Sequence, residues 1–142
     1  KECCDARGAV RGVFKAMKRG GTVLWLSDQD AGRDGIKVDF FGYPASTPRG
    51  AAAFSVKLKV PVVFGVLVRE KGPYQKLILF PPIYPDSDIP REEAERKITQ
   101  EYTDRLKDMI QRHPEMYWWA HRRWKSTGLY RKKKKKKESN EK

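Results

Sequence analysis

The chain has 142 residues, 39% of them hydrophobic, which places it among globular proteins and suffices for one domain with a core. Its longest apolar run, VPVVFGVLV from Val60, is far shorter than the ~20 residues of a transmembrane helix, and no signal peptide is visible. The net charge of +13 predicts an anionic partner: a nucleic acid, a phosphorylated ligand or a membrane surface.

The first elements predicted are a helix and a strand. Residues 5–18 place apolar side chains on one face, with Asp5 as N-cap and with Gly20 and Gly21 as the stop. Residues 22–26 (TVLWL) have the pattern of a short buried strand. Cys3 and Cys4 are adjacent and lack the spacing of a zinc or redox site, so we expect ordinary thiols in a reducing compartment.

The middle of the chain predicts a strand, a loop and a second helix. Residues 37–41 (KVDFF) predict a strand and residues 43–50 (YPASTPRG) a loop. Thr47 is the expected N-cap and Pro48 the first residue of a helix that covers residues 51–59.

Two strands and a long helix follow. Residues 60–68 are apolar without interruption, as in a strand covered on both faces, and residues 74–80 predict the next strand. A long amphipathic helix then begins near Glu92 and Glu93 and carries its apolar side chains at three- and four-residue steps, at Ala94, Ile98, Tyr102, Leu106, Met109 and Ile110.

The C-terminal part combines a short helix with a basic tail. Pro114 starts the short helix, and residues 131–142, with eight Lys or Arg and two Glu, form a disordered poly-lysine tail of charge +6. Residues 1–130 are therefore expected to be the folded part. Because its helices alternate with short apolar strands, the predicted class is α/β.

Carboxylates directly after the strand at residues 22–26 form the first candidate site. Ligands of α/β sheets gather at the C-terminal ends of strands, where Asp28 and Asp30 lie. An ordinary turn explains the same residues. A metal site would need further ligands, and the spacing to Asp34 and Asp39 follows no known ligand pattern.

The stretch ASTPRGAAA forms the second candidate site. A helix that begins at a Thr-Pro pair leaves backbone N–H groups free, and Arg49 adds a fixed positive charge, so this terminus suits a phosphate or a developing oxyanion. A plain capped helix packed through its alanines explains the stretch equally well.

The chain offers few groups for acid–base catalysis. His113 and His121 are the bases available near neutral pH, and their spacing suggests no Ser or Cys partner for either one. The residues alone therefore indicate no catalytic base.

The order of several motifs resembles the C-terminal half of the bacterial lipid A biosynthesis acyltransferases, the lauroyl/myristoyl transferase family within the lysophospholipid acyltransferase superfamily. The motifs are GGTVLWLSDQDAGRDGIKVDFFGYPASTPRGAAAFSVKLKVPVVFGVLVR, then YQKLILFPPI, then HPEMYWWAHRRWK, over roughly residues 6–125. The resemblance implies part of a glycerol-phosphate acyltransferase-like mixed sheet flanked by helices. It implies no cofactor and no metal.

The resemblance also implies a reaction. Family members move an acyl chain from acyl carrier protein, or in relatives from coenzyme A, to a hydroxyl of a lipid acceptor, with the His of an H-x-x-x-x-D/E motif as base. Here His113 is followed five places later by Trp118, and His121 by Ser126. We therefore expect the dyad to lie upstream of Lys1 and the 142-residue chain alone to be inactive.

Further residues receive roles from the same resemblance. Asp28 matches the family's acidic residue after the central strand and would support catalysis. The F-F-G and T-P-x-G block and the arginine that ends the following strand would bind substrate through Phe41, Gly42, Thr47, Pro48, Gly50 and Arg69. Arg49, the positive charge at the helix start, is included with them as a substrate-binding residue.

The segment HPEMYWWAHRRWK resembles the family's terminal P-E-x-[WY]-x-W-x-H-R-R-[WF]-K signature. Its aromatic residues would pack a helix onto the domain, with at least one of Trp118 and Trp119 in the core, while its cations face an anionic membrane. The residues assigned to membrane contact are Trp118, Trp119, His121, Arg122, Arg123, Trp124 and Lys125.

The expected location is the cytoplasmic face of the inner membrane, with an acyl thioester and a lipid as partners. Two alternatives compete with an acyltransferase: a relative that keeps only an interaction surface, and a basic nucleic-acid-binding module. Nucleic acid is the less favoured partner because the aromatic residues cluster near the C-terminus and do not alternate with basic residues along a sheet face.

Overall fold

The computed structural model describes residues 9–130, where three α-helices and two two-stranded antiparallel sheets confirm the predicted α/β class. Asp5, both cysteines and the tail lie outside the described residues. The elements in chain order are α1 (Ala9–Lys18), β1 (Ile36–Phe40), β2 (Tyr43–Thr47), α2 (Gly50–Leu58), β3 (Gly65–Lys71), β4 (Tyr74–Leu79), α3 (Arg91–Arg112) and a 3₁₀ turn (Pro114–Met116).

Helix α1 ends at the predicted glycines. The N–H groups of Arg19 and Gly21 both donate to the carbonyl of Ala16, at 3.2 and 3.0 Å. Gly20 has φ +75°, a left-handed conformation that glycine adopts without a steric penalty. The predicted stop at Gly20 and Gly21 is confirmed.

The strand predicted at residues 22–26 is wrong. The segment runs from Gly21 to Ser27 without regular structure, with Leu24 88% and Leu26 82% exposed. A strand must pair its N–H and C=O groups with a neighbour, and within residues 9–130 no strand lies beside this segment. The segment is therefore exposed despite its apolar composition.

Strands β1 and β2 form a hairpin where a strand and a loop were predicted. Strand β1 confirms the strand prediction within one residue, whereas β2 shows that the loop prediction for residues 43–47 was wrong. Phe41 and Gly42, both at positive φ, make the two-residue turn that pairs Phe40 with Tyr43. This turn puts Ala45, Ser46 and Thr47 into the interior.

Helix α2 confirms the predicted helix within one residue, but its predicted capping is wrong. The helix begins at Gly50 with Arg49 as N-cap, and no side chain caps it. Thr47 instead ends β2, and its Oγ1 accepts a hydrogen bond from Arg123. The Thr47 hydroxyl therefore binds Arg123 near the C-terminus and does not cap the helix.

The prediction of one covered strand over residues 60–68 is also wrong. Val62 makes an isolated bridge with Ile83, and β3 begins only at Gly65. Strand β3 continues to Lys71 and pairs antiparallel with β4, which confirms the strand predicted at residues 74–80. One face of this hairpin is exposed.

Helix α3 confirms the long amphipathic helix, with Glu92 and Glu93 in its first turn. Its buried face joins two clusters: Ala52, Ile83, Ile98 and Tyr102 in one, and Phe40, Ala45 and Ile110 in the other. Among residues 9–130, no helix has the length and hydropathy needed to cross a bilayer. After α3 the predicted short helix is a single 3₁₀ turn, followed by further turns.

Candidate functional site

Residues 117–126, called here the terminal strap, hold distant parts of the backbone together. The Tyr117 hydroxyl donates to the carbonyl of Asp28 at 3.4 Å. The Trp124 indole N–H donates to the carbonyl of Phe40 at 3.3 Å. Aromatic side chains of the strap thus bind both the loop after residues 22–26 and the end of β1.

Arg123 is the most buried side chain of the strap, at 1% exposed. Its Nη1 donates to the carbonyl of Ser46 and its Nη2 to Oγ1 of Thr47, each at 2.5 Å, and its guanidinium lies 5.3 Å from the ring centre of Phe40. The Nε atom has no partner among residues 9–130. Burial lowers the pKa of Arg123. The prediction that Arg123 faces an anionic surface is wrong, because the side chain fixes the end of β2.

Asp30 joins the same strap. Its backbone N–H donates to Nε2 of His121 at 2.8 Å, and its Oδ2 accepts from the N–H and hydroxyl of Ser126 at 3.1 and 2.8 Å. Burial acts to raise the pKa of Asp30, but the hydrogen bonds from Ser126 and Gly32 outweigh it, so this pKa lies below its usual value. Because Nε2 of His121 is an acceptor, the neutral ring carries its proton on Nδ1.

Asp28 and Asp30 differ in their contacts. Asp28 is half-buried, and among residues 9–130 its carboxylate has neither a hydrogen-bond nor an ion-pair partner. Only its carbonyl is held, by Tyr117. Burial raises the pKa of Tyr117 to about 12, with the Arg123 charge opposing and the Asp28 charge adding to the rise. The strap therefore fixes the backbone of Asp28 and leaves its carboxylate available.

Asp28 lines an apolar groove of about 740 Å³. Polar groups on this groove include Ser27, Asp28, His113 and Tyr117. The remaining lining is mainly apolar and includes Trp25, Phe54, Val62, Phe64, Val66, Met109, Ile110 and Trp118. A carboxylate beside a long apolar groove suits a ligand with a hydrocarbon chain and a polar reacting end.

The residues of the T-P-x-G block are mostly engaged within the protein. The Pro48 carbonyl accepts from the Tyr102 hydroxyl at 3.3 Å. A Cβ at Gly50 would lie 2.5 Å from Cζ3 of Trp25, so glycine lets the indole reach the helix start. Thr47 is fully buried, and Phe41 and Gly42 form the hairpin turn. The residues of this block therefore make internal packing and hydrogen-bond contacts beside the groove.

Arg49 pairs with a buried acid that the sequence analysis missed. Its Nη2 donates to Oε2 of Glu95 at 2.7 Å, and Nε of Arg91 donates to Oε1 at the same distance. Glu95 is 0% exposed. Its position between Ala94 and Ile98, four residues after Arg91, was the available signal. The hydrogen bond and charge of Glu95 raise the pKa of Arg49, so the expected anion-binding cation already has a carboxylate partner.

The other predicted surface residues are accessible. Trp118 and Trp119 are 66% and 53% exposed, so the prediction that one belongs to the core is wrong. Arg122 and Lys125 are also exposed, and Arg122 lies 5.0 Å from the ring centre of Tyr130. Arg69 is exposed on β3, on a hairpin separate from the strap.

Metal ligands do not converge in the described part of the chain. No three His, Cys, Asp or Glu side chains form a group that could hold an ion within residues 9–130. Asp39, one of the alternative ligands considered from sequence, pairs with Lys107 at 3.2 Å.

The family model for bacterial lipid A biosynthesis acyltransferases matches residues 1–126, a range that contains the groove, the T-P-x-G block and the strap. A comparison with curated proteins finds no match.

Proposed function

The chain belongs to the bacterial lipid A biosynthesis acyltransferase family, and from that membership we propose which parts of acyl transfer it performs. The donor is an acyl thioester of acyl carrier protein or coenzyme A, and the acceptor is a hydroxyl of a lipid A-type glycolipid or a lysolipid. The observation that carries the proposal is the apolar groove with Asp28 on its wall, whose carboxylate has no partner among residues 9–130.

The groove holds the acyl chain in this proposal. Its volume of about 740 Å³ lies within the range of small-molecule pockets, and apolar walls favour a hydrocarbon chain by removing it from water. The polar groups Asp28, His113 and Tyr117 then lie beside the thioester end. Asp28 acts there in a supporting role, by orienting a donor group or stabilising positive charge on the base.

The chemical step transfers the acyl group from the thioester sulfur to the acceptor oxygen. The acceptor oxygen attacks the thioester carbon while a base takes the hydroxyl proton, the C–S bond breaks, and the thiolate leaves to be protonated. His121 does not suit the base, because its Nε2 accepts from the Asp30 amide. His113 lies on the groove with Glu115 3.9 Å away, but it lacks the acid five places later that the family's motif requires. We assign the base to an H-x-x-x-x-D/E motif upstream of Lys1, and the 142 residues alone are then inactive.

The remaining assignments are part of the same proposal. Phe41, Gly42, Thr47, Pro48 and Gly50 shape the acceptor side by packing, while Arg49 and Arg69 are its cations. Trp118, Trp119, Arg122 and Lys125 contact an anionic membrane surface, on the cytoplasmic face of the inner membrane, together with the exposed edges of His121 and Trp124.

Acyl-thioester binding tests the proposal in the chain itself. Isothermal titration with lauroyl-coenzyme A should show binding by the wild type. Val63→Asp, which charges an exposed position on the groove, should weaken binding about tenfold, a loss of roughly 1.4 kcal/mol. The matched control is Val10→Asp, at a similarly exposed valine of α1 outside the groove, and it should bind as the wild type does. Equal binding by the two variants would remove the groove from the proposal.

Activity separates the proposal from its alternatives. The 142-residue chain should give no turnover with acyl carrier protein thioesters, whereas a protein that includes an upstream H-x-x-x-x-D/E motif should transfer the acyl group. An upstream region without that motif would support a non-catalytic relative. Tight binding of duplex DNA without thioester binding would support the nucleic-acid module.

A further inference from the structure

A buried carboxylate near the start of α3 holds two arginines side by side. Oε2 of Glu95 accepts from Nη2 of Arg49, and its Oε1 accepts from Nε of Arg91, each at 2.7 Å. The Glu95 side chain is 0% exposed, whereas the side chains of Arg49 and Arg91 are 52% and 59% exposed. The carboxylate is therefore the inner member of this cluster, and both arginines reach the solvent.

The cluster has an excess of positive charge. Burial acts to raise the pKa of Glu95, but hydrogen bonds from Arg49 and Arg91 outweigh it, so the pKa is lowered and the carboxylate is ionised at neutral pH. One arginine would neutralise Glu95, and the second adds a charge that the cluster does not balance. The hydrogen bond and charge of Glu95 raise the pKa of Arg49 most, and the weaker charges of Glu92 and Asp34 add to the rise. Both of these acids are exposed, so water and salt screen them.

Most hydrogen-bond donors of the two arginines remain available. A guanidinium group has several N–H donors, and Glu95 takes one nitrogen from each side chain. Within residues 9–130 neither Arg49 nor Arg91 donates a side-chain hydrogen bond to any other group. Because Glu95 already holds both side chains, a ligand that binds them loses less affinity to side-chain ordering. The two guanidinium groups are thus preorganised for an anion with several acceptor oxygens.

The arginine pair lies next to the groove but outside it. Arg49 directly precedes Gly50, where a Cβ would lie 2.5 Å from Cζ3 of Trp25. Trp25 and Ala51 line the groove, whereas neither Arg49 nor Arg91 does. An anion held by the pair would therefore lie beside the groove wall, separate from a hydrocarbon chain inside the groove.

We propose that Arg49 and Arg91, positioned by Glu95, bind a phosphate monoester. Guanidinium groups match phosphate oxygens in bidentate geometry. A phosphate monoester has three strong acceptor oxygens and can bond both arginines, whereas a carboxylate has two oxygens. The identity of the ligand rests on the proposed function: the phosphate is that of a phosphorylated glycolipid acceptor, bound with its hydroxyl towards the groove. Coenzyme A also carries a phosphate monoester, so the experiments must separate the two sources.

Binding of a soluble sugar phosphate to the 142-residue chain tests the site. In NMR titrations, glucose 1-phosphate should shift the Arg91 Nε–H and Gly50 amide signals in a saturable manner, and glucose should not. Arg91→Gln should weaken the binding seen at Gly50 at least about fivefold. The matched control, Arg96→Gln, removes the same charge from an exposed arginine of α3 that has no ion-pair partner in the described residues 9–130. It should change the affinity less than about twofold.

Further variants separate phosphate contact from an effect on folding. Arg91→Lys keeps the charge but lacks the planar fork, so it should recover only part of the affinity. Glu92→Gln removes an exposed acid that acts on Arg49 and should strengthen binding about twofold. Glu93→Gln, at the next exposed acid, should have a smaller effect. Circular dichroism verifies that each variant is folded, and the gain in Glu92→Gln does not depend on disturbing Glu95.

Three results would overturn the inference. The absence of a saturable shift at Arg91 and Gly50 with glucose 1-phosphate would remove the site. Equal affinity for glucuronate, which presents a carboxylate, would remove the preference for phosphate. Equal losses in Arg91→Gln and Arg96→Gln would reduce the effect to the overall charge of the protein.

Lauroyl-coenzyme A separates the two sources of phosphate and the two proposals. Arg91→Gln should bind it as the wild type does, because the acyl chain lies in the groove. A loss of this affinity in Arg91→Gln but not in Arg96→Gln would assign the phosphate to the donor and overturn the acceptor assignment. Thioester binding without sugar-phosphate binding by the wild type would contradict this inference alone. Sugar-phosphate binding without thioester binding would contradict the proposed function alone.

Discussion

The guanidinium of Arg123 and the hydroxyl of Thr47 meet inside the core, 76 residues apart in sequence, with Nη2 2.5 Å from Oγ1. This contact ties the terminal strap to the end of β2, and only two residues separate that end from the start of α2. The same strap holds Asp28 through Tyr117 and Asp30 through His121. The aromatic and basic C-terminal segment thus fixes the position of the candidate site.

Replacing Arg123 by Met should destabilise the chain by about 2–4 kcal/mol, because the Ser46 carbonyl and Thr47 hydroxyl would lose buried hydrogen bonds. The exposed neighbour Arg122, replaced in the same way, should cost less than about 1 kcal/mol. Arg123→Lys should recover only part of the loss, because an ammonium lacks the planar fork. Urea unfolding followed by circular dichroism measures all three. A stable Arg123→Met protein would show that the burial of Arg123 is not required for the fold.

Gly50→Ala should destabilise the chain by about 1–3 kcal/mol and change the tryptophan emission, because the new Cβ would collide with the Trp25 ring. Combining it with Trp25→Ala should relieve the collision, so the two effects should be less than additive in a double-mutant cycle. Additive losses would mean that the indole moves away at no cost.

Glu95 should make stability depend on acidity. Burial acts to raise the pKa of Glu95, but hydrogen bonds from Arg49 and Arg91 outweigh it, so the folded-state pKa is below the usual 4.5. A lowered acid pKa stabilises the fold above the unfolded-state pKa, and this stabilisation is lost as the pH falls through the folded value. Glu95→Gln should therefore flatten the loss of stability below about pH 4.5, whereas the exposed Glu93→Gln should not. Parallel acid-unfolding curves for Glu95→Gln and the wild type would contradict this assignment.

Tyr117 should ionise late in an alkaline titration. Burial raises its pKa to about 12, so its neutral form stabilises the fold below the usual value of 10, and that contribution is lost as the pH rises towards 12. Burial also raises the pKa of Tyr102. Absorbance near 295 nm should show a late phase that Tyr117→Phe reduces. An unchanged late phase in that variant would show that the Tyr117 hydroxyl is exposed to solvent.

Asp28→Asn should lower turnover at least about tenfold in a protein that carries the upstream dyad, which is only ~1.4 kcal/mol of barrier. Its thermal unfolding should change little, because only the carbonyl of Asp28 is held by the fold. Asp30→Asn is the structural counterpart and should lose stability, since it weakens the contacts to Ser126. Normal kinetics in a folded Asp28→Asn protein would leave Asp28 as a turn residue.

The sequence by itself determined the elements that depend on local patterns. The spacing of Ala94, Ile98 and Tyr102 was sufficient for α3, and the two glycines after Lys18 were sufficient for the end of α1. These signals are local because helix periodicity and glycine conformation depend on neighbouring residues. The ordered motifs were likewise sufficient for the family.

Only the tertiary structure decided which polar groups are buried and which apolar groups are not. Arg123 is buried because Ser46 and Thr47, 77 and 76 residues earlier, accept its hydrogen bonds. Glu95 is buried because Arg49, 46 residues earlier, donates a hydrogen bond to its carboxylate. Leu24 and Leu26 remain exposed because within residues 9–130 no strand pairs with their backbone. Burial depends on partners far away in the chain, and a residue's own neighbours do not specify them.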